Sequence, residues 1–296
     1  MDGARYLNDR KQMVDAELDR LLGHCATTPP ELHEALRYCV FAGGKRIRPI
    51  LALAAAEALG GRPDDVVREA CALELIHTYT LVHDDLPSMD DDDFRRGRPT
   101  MHTVYGEAIA ILAGDALQAE AFAVLAGSTR HRPEKLLQVI HMLAEACGPR
   151  GIVGGQVVDI LSEGKTVSRE TLEYIHHHKT GCLITASVML GALLASTATT
   201  PARYLDALKT YGDAIGLAFQ ITDDILDVTG TSETMGKTAG VDQKRGKATY
   251  PSIIGLEEAR IAQKRLYHKA LTALDVFQEE ADPLRHIARV IVERSS

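Results

Sequence analysis

The sequence lacks an excess of basic residues and a leading apolar segment, and each absence excludes a class of protein. It has 33 Lys and Arg against 41 Asp and Glu, which gives a formal net charge of −8. A protein held on nucleic acid by charge would present a basic face, so this composition argues against nucleic-acid binding. The first nine residues include acidic side chains and no apolar run, so we expect neither a signal peptide nor a transit sequence.

Paired cysteines are also missing. The five cysteines are odd in number, scattered, and never placed at metal-ligand spacing. This pattern is typical of reduced core residues, and we expect a cytoplasmic protein. The five are Cys25, Cys39, Cys71, Cys147 and Cys182.

Signals for β-strands are scarce, whereas Ala and Leu recur at helical spacing. The 296 residues, 45% of them hydrophobic, are enough for a large core. We therefore predict an all-α fold, with a single domain spanning residues 1–296. The uncharged run from Thr180 to Thr200 approaches the length of a membrane helix, but its small and hydroxyl side chains favour a buried helix, so we expect no membrane span. Gly114–Asp115 predicts a break between helices.

The stretch Asp84–Asp93 holds six carboxylates in ten residues. Such a run is usually a solvated acidic surface. Here, however, apolar residues at helical spacing precede it, so the acids lie at the end of a packed helix and need a cation. Pro87 should bend the helix within the run and turn Asp84 and Asp90 towards one site.

A second acidic cluster contains Asp223, Asp224 and Asp227. Asp223 and Asp227 stand at i and i+4 on one predicted helix face, where like charges oppose helix stability. Hard oxygen ligands without interleaved Cys or His suit Mg²⁺, which usually binds through a few carboxylates and substrate phosphates. The two clusters together predict a site of two or three metal ions closed by a polyphosphate.

Cations stand near both clusters in the sequence. Lys45 and Arg48 follow two glycines and are three residues apart, so they could project together, although a cationic helix cap is the alternative. Arg95 and Arg96 follow the first acidic run, and the planar fork of arginine suits phosphate. After the second cluster, a polar Gly-rich segment carries Lys237 and leads to Lys247, as expected of a lid that closes on a diphosphate.

Histidines give weaker signals. His77 precedes Asp84 by two helical turns on the same face, where a ligand role and an ordinary core histidine are both open interpretations. The run His176–His178 does not predict a zinc site, because consecutive helical residues fan out by ~100° each. Lys179 and Thr180 follow it.

Taken together, these motifs resemble the trans-prenyltransferase (isoprenyl diphosphate synthase) family, in particular its bacterial farnesyl diphosphate synthases. The resemblance covers roughly residues 37–255. The motifs are Gly-Lys-Arg-Ile-Arg-Pro from Gly44, His77, the long first acidic motif with Arg95–Arg96, Lys179–Thr180, Phe-Gln-x-x-Asp-Asp-x-x-Asp from Phe219, and Gly236–Lys237.

The resemblance implies condensation of isopentenyl diphosphate with an allylic diphosphate in a helical bundle, by a homodimer. The allylic C–O bond ionises, the isopentenyl double bond attacks the cation, and a proton is lost. Three Mg²⁺ ions, replaceable by Mn²⁺, would be held by Asp84, Asp90 and Asp223 with support from Asp85, Asp224 and Asp227. The implied roles of the other residues are allylic diphosphate binding for Arg95, Lys179, Lys237 and Lys247; isopentenyl diphosphate binding for Lys45, Arg48, His77 and Arg96; and cation stabilisation for Thr180 and Gln220.

Product length should depend on the helix before Asp84, along which a prenyl tail would grow. Helical phase places Thr80 near the face of Asp84 and Tyr79 farther round, so an ideal helix favours Thr80 as the floor of the tail pocket. The family resemblance instead favours Tyr79, because short-chain bacterial enzymes carry an aromatic residue there. We therefore expect the C15 product farnesyl diphosphate, with C20 geranylgeranyl diphosphate as the alternative.

Two other functions remain open. A terpene cyclase also ionises allylic diphosphates, but it would typically replace the second Asp-rich motif and would not need a second cationic site. A non-catalytic subunit of a heteromeric synthase should have lost some of the acids. This sequence keeps both acidic motifs and both groups of cations.

Overall fold

The computed structural model describes residues 2–23, 29–229 and 248–294, and in these the prediction of an all-α fold is confirmed. The sheet structure of this part is one two-stranded hairpin, β1 (Phe94–Arg95) and β2 (Arg98–Pro99). The helices are α1 (Gly3–Leu21), α2 (Pro30–Val40), α3 (Ile47–Ala58), α4 (Pro63–Asp84), α5 (Met101–Tyr105), α6 (Glu107–Ala126), α7 (Pro133–Cys147), α8 (Ile152–Ser162), α9 (Arg169–Ile175), α10 (Cys182–Ala195), α11 (Ala202–Thr229), α12 (Tyr250–Ile254), α13 (Leu256–Ala273) and α14 (Asp282–Glu293).

Helix α4 lies at the centre of the bundle. It is buried along most of its length and packs against α3 on one side and α6 on the other. Helix α3 packs in turn on α10, α10 on α11, and α11 on α13. The nearly continuous apolar sequence of α3 follows from this position, since buried neighbours surround it. The C-terminal parts of α4 and α11 carry the two acidic motifs, so both motifs lie on helices that are packed into the bundle.

Two described helical stretches, Glu107–Ala126 and Arg169–Ala195, are long and apolar enough by composition to cross a membrane. In the second, 56% of the apolar window is buried inside the protein. Its last part, α10, has Val188, Leu190 and Ala192 fully buried against the bundle. The interpretation of the uncharged run as a buried helix is therefore confirmed for α10.

The predicted break at Gly114–Asp115 is wrong. Gly114 lies in the interior of α6, where it is buried. A Cβ atom at this position would lie 2.0 Å from Nε2 of His83, so the glycine lets α6 approach α4 closely. The glycine has a structural role, but that role is to permit a close contact between two helices instead of a loop.

The acidic run also differs from prediction. Helix α4 does not bend at Pro87 but ends at Asp84, and a compact turn follows. In this turn the backbone N–H of Asp90 donates to the carbonyl of Asp84 over 2.8 Å. Ending the helix brings the backbones of Asp84 and Asp90 together, as the predicted bend was expected to do.

Candidate active site

A cavity of about 690 Å³ opens between the start of α3, the middle of α4 and the end of α14. Its described lining includes five cationic side chains, and Glu74 is the one carboxylate among these lining residues. The cations are Lys45, Arg46, Arg48, Arg96 and Arg294. Such an excess of positive charge in a cleft favours an anionic ligand.

Two glycines in the loop before α3 determine how that loop lines the cavity. Gly43 and Gly44 have φ angles of +97° and +129°, which side-chain-bearing residues rarely adopt. A Cβ on Gly44 would lie 2.5 Å from a guanidinium nitrogen of Arg96, whose Nη1 donates to the carbonyl of Gly43. The two glycines therefore let the Arg96 guanidinium lie directly on the loop that carries Lys45.

Arg48 and His77 are half-buried where they line this cavity. Burial lowers the pKa of Arg48 to about 10, and its Nε has no hydrogen-bond partner among the described residues. Burial also lowers the pKa of His77 well below 6.5, and the charges of Arg48 and Arg96 lower it further. His77 is therefore neutral near pH 7, while Arg48 remains a cation with an unused donor.

In the first acidic motif, the two leading aspartates have different surroundings. The pKa of Asp84 is raised to about 6, mainly by burial and also by Asp90 and Asp85, whereas the Lys179 ammonium opposes the shift. Asp85 accepts a hydrogen bond from Nε of Arg95 over 2.7 Å. Asp84 is thus a half-buried carboxylate whose charged form a nearby cation would stabilise.

The second acidic motif meets the C-terminal helix. The guanidinium of Arg294 lies 2.5 Å from a carboxylate oxygen of Asp223, donates to the carbonyl of Phe219 over 3.0 Å, and stacks on the Phe219 ring. The family resemblance, which covers roughly residues 37–255, does not include Arg294. The sequence gives no signal for Arg294, since only the packing of α14 on α11 brings it to the site.

Asp224, the next residue, points to other partners. One of its carboxylate oxygens lies 2.8 Å from Nε2 of His176 and accepts the backbone N–H of Tyr250 over 2.8 Å. In the run of three histidines, His178 instead stacks on Tyr174. Asp224 therefore ties α11 to the start of α12, and its support of a metal stays a prediction.

Lys179 and Thr180 lie in a π-helical segment, His176–Gly181, between α9 and α10. Such segments are rare and frequent at functional sites. Nζ of Lys179 is 2.7 Å from a carboxylate oxygen of Asp159 on α8. Lys179 and Thr180 line a smaller cavity of about 130 Å³ together with Gln220 and Asp224. The structure thus gathers four predicted site residues and adds Asp159.

The two candidate chain-length residues differ in their surroundings. Tyr79 is buried beside His83, with its ring edge-on at 5.8 Å between centroids. Its hydroxyl makes no hydrogen bond of normal geometry among the described residues, and Gln118 on α6 is a polar neighbour. The Thr80 hydroxyl donates to the carbonyl of His77 over 2.8 Å. Lys237 and Lys247 lie outside the described residues.

The donor chemistry fits Mg²⁺, which prefers carboxylate oxygens. The raised pKa of Asp84 reflects burial and neighbouring negative charge, and a divalent cation would relieve both. Within the residues that the structure describes, no three His, Cys, Asp or Glu side chains form a ready metal site. Carboxylates that can bind metal ions and a cation-lined cavity are the groups that a metal-assisted reaction of a diphosphate requires.

Comparison with known proteins agrees. Residues 29–286 match the polyprenyl synthetase family. The chain is 46% identical over 293 residues to a geranylgeranyl diphosphate synthase from Cyanophora paradoxa, covering 98% of this chain and 96% of that protein. It is 47% identical over 266 residues to a farnesyl diphosphate synthase from Geobacillus stearothermophilus, covering 89% and 88%. The solved structure of an FPP/GFPP synthase from Zymomonas mobilis superposes with a TM-score of 0.87 at 38% identity, covering 98% and 99%.

The chain therefore belongs to the polyprenyl synthetase family. It is a trans-prenyltransferase that makes prenyl diphosphates, and the expected enzyme class is confirmed. Enzymes of this family use Mg²⁺ to ionise prenyl diphosphates. Relatives named for C15 and for C20 products match about equally well, so the family likeness does not fix the length of the product.

Proposed function

We propose that this enzyme condenses isopentenyl diphosphate with dimethylallyl and geranyl diphosphates and releases farnesyl diphosphate. The observation that carries the proposal is the link between the cationic cavity and the second acidic motif through Arg294, which lines the cavity and pairs with Asp223. One residue thus touches both an anion-binding space and an acidic motif, as a two-diphosphate reaction needs.

The isopentenyl diphosphate group would bind in the larger cavity. Lys45, Arg48 and Arg96 supply positive charge, and the buried Nε of Arg48 is an unused donor. His77 is neutral, so it would offer a hydrogen bond without adding charge. Metal ions would not be needed here, because Lys45, Arg48 and Arg96 supply the positive charge and Arg46 pairs with Glu74.

The allylic diphosphate would lie between the acidic motifs. Asp84, Asp90 and Asp223 would hold three Mg²⁺ ions, with Asp85, Asp224 and Asp227 in support. When bound, the ions neutralise the departing diphosphate. Cations of the chain would contact the same group, namely Arg95, Lys179, Lys237 and Lys247.

Several of these side chains must exchange partners when substrate binds. Lys179 pairs with Asp159, Arg95 with Asp85, and Arg294 with Asp223. Each pair holds a cation and an acid of opposite charge in a defined position. A diphosphate with its metal ions supplies the matching charges, so the pairs can open without leaving a buried charge uncompensated.

Chemistry after ionisation would depend on oxygen atoms near the allylic carbon. Thr180 and Gln220 line the smaller cavity with Lys179, and their oxygens would stabilise the cation. The isopentenyl double bond then attacks, one C–C bond forms, and a proton leaves the isopentenyl unit. The released diphosphate is the base in this proposal.

Product length would be limited by Tyr79. Its buried ring stands on α4 beside His83, one turn before the metal-binding end of the helix. A growing tail that runs along α4 would meet this ring, which favours the C15 product. Geranylgeranyl diphosphate is the second candidate, since close relatives carry that name.

We also propose a single-domain, cytoplasmic homodimer. The four described cysteines, Cys39, Cys71, Cys147 and Cys182, are free, as in a reducing compartment. Helix α6 exposes Ile111 and Leu112, with 44% and 55% of their surfaces accessible, and a second subunit would cover them. The mass of the protein in solution, measured by light scattering, tests the dimer.

Removing single carboxylates tests the proposed chemistry. Asp84→Ala and Asp223→Ala should each lower kcat at least ~10²-fold, because each removes a ligand used when the diphosphate departs. Asp93→Ala is the matched control, since Asp93 belongs to the same run but is exposed. Near-normal turnover in both site variants, with circular dichroism unchanged, would contradict the proposal.

A further inference from the structure

Arg46 stands between Lys45 and Arg48 in the sequence, yet its guanidinium is held by partners inside the protein. It is 3% exposed and has a φ angle of +53°, an unusual value for a non-glycine residue. Its guanidinium makes three hydrogen bonds of 2.7–2.8 Å, to a carboxylate oxygen of Asp15, a carboxylate oxygen of Glu74 and the carbonyl of Val40. All three nitrogens of the fork are used.

The Glu74 partner is the feature that matters for binding. Its carboxylate is 2% exposed and is the one acid among the described residues that line the larger cavity. Its charge also acts on Arg48 and Arg96, where it favours the protonated forms. Without a partner of its own, Glu74 would therefore compete with a diphosphate for these two cations.

Stability alone does not account for this network. Buried ion pairs often contribute little to folding, because the cost of desolvating both charges offsets their attraction. The positive φ of Arg46 adds backbone strain at the same position. Arg46 thus costs stability both through desolvation and through its backbone conformation. Because it adjoins a binding loop, we interpret it as a residue that shapes that loop.

We propose that Arg46 is a positioning residue for isopentenyl diphosphate, an inference that rests on the proposed function of the larger cavity. By neutralising Glu74, it leaves Arg48 and Arg96 available to the diphosphate. By anchoring the left-handed turn to α1 and α4, it fixes the direction in which Lys45 and Arg48 leave the backbone. Arg46 itself does not touch the substrate.

A double-variant experiment separates this role from a purely structural one. In Arg46→Met, the KM for isopentenyl diphosphate should rise at least ~10-fold, the loss of about one charge-assisted contact, while kcat and the allylic KM stay within about threefold. In Arg46→Met/Glu74→Gln, most of the lost affinity should return, because the competing carboxylate is gone. Arg10→Met is the control, since Arg10 pairs with Glu57 between α1 and α3 and does not line the cavity.

Equal losses for both substrates in Arg46→Met, or no recovery in the double variant, would overturn the inference. If Arg46→Met does not fold, Arg46→Lys is the variant to measure. Lysine keeps the charge but cannot make all three hydrogen bonds, so the KM should rise for isopentenyl diphosphate alone. No rise, or equal rises for both substrates, would contradict the role. Arg48→Ala with an unchanged KM for isopentenyl diphosphate would instead overturn the assignment of the cavity itself.

Discussion

The Arg294 guanidinium lies 2.5 Å from a carboxylate oxygen of Asp223, so the last helix of the chain reaches the second acidic motif. The same side chain lines the cavity that contains Lys45 and Arg48. Burial lowers the pKa of Arg294, and Asp223 opposes that shift. In the proposed mechanism, Arg294 would exchange between Asp223 and a bound diphosphate.

Arg294→Gln should raise the KM for isopentenyl diphosphate about 10-fold. The glutamine keeps a hydrogen-bond donor but loses the charge, so part of a contact of roughly 1.5–3 kcal/mol is lost. The fold should persist, because Arg294 lies at the end of α14 and not inside it. Steady-state kinetics with both substrates varied would measure the change. Arg289→Gln, an exposed position on the same helix, should leave every constant unchanged. Identical kinetics for the two variants would exclude Arg294 from the site.

The two groups of cations should give different phenotypes. Arg48→Ala should mainly weaken isopentenyl diphosphate binding, because Arg48 lines the larger cavity. Lys179→Ala should mainly impair the allylic substrate, because Lys179 lies with Thr180 and Gln220 in the smaller cavity. Each loss should be at least ~10-fold in kcat/KM for one substrate. If both variants weaken both substrates equally, the two-site arrangement is wrong.

Tyr79→Ala should lengthen the main product to C20 or beyond and leave the metal dependence unchanged, because it removes the buried ring beside His83. Tyr79→Phe is the matched control: it keeps the ring and should keep the C15 product. Thr80→Ala tests the alternative floor. Products can be identified by mass spectrometry of the extracted prenyl alcohols. A product distribution that changes in Thr80→Ala and not in Tyr79→Ala would transfer the role to Thr80.

Burial and the nearby arginines keep the pKa of His77 well below its unfolded value of about 6.5. Above pH 6.5 both states are neutral here, so the contribution of His77 to stability is fully present; below it, the unfolded state binds the extra proton and stability falls. The unfolding midpoint of His77→Gln should therefore fall less than that of the wild type between pH 7 and 5. His268→Gln, an exposed control, should follow the wild type. Parallel curves for wild type and His77→Gln would refute a neutral His77.

The sequence predicted the residues whose chemistry depends on local spacing. Asp84 and Asp90 are close in the chain, and so are Lys179 and Thr180, so their motifs could be identified before any fold was known. Helix type followed from periodicity for the same reason. Even the incorrect bend at Pro87 gave the right outcome, because any interruption of α4 at that point returns the chain towards Asp84.

What could not be predicted depends on contacts between distant segments. Arg294 is 71 residues from Asp223, and Asp159 is 20 from Lys179. Arg46 belongs to a recognised motif, but its inward direction follows from Glu74 on another helix. Gly114 is interpreted from the sequence as a helix break because the reason for a glycine there, the close approach of His83, lies on another helix, α4. Helical periodicity describes one helix at a time, so it cannot identify partners on other helices.

The most direct test is product analysis with purified enzyme. The protein is incubated with Mg²⁺, isopentenyl diphosphate and either dimethylallyl or geranyl diphosphate, and both prenyl products and released diphosphate are quantified. The account predicts one diphosphate released for each C–C bond formed, farnesyl diphosphate as the main product, and no turnover of either substrate alone. Conversion of an allylic diphosphate by itself into a cyclised hydrocarbon, or no elongation with any primer, would contradict it.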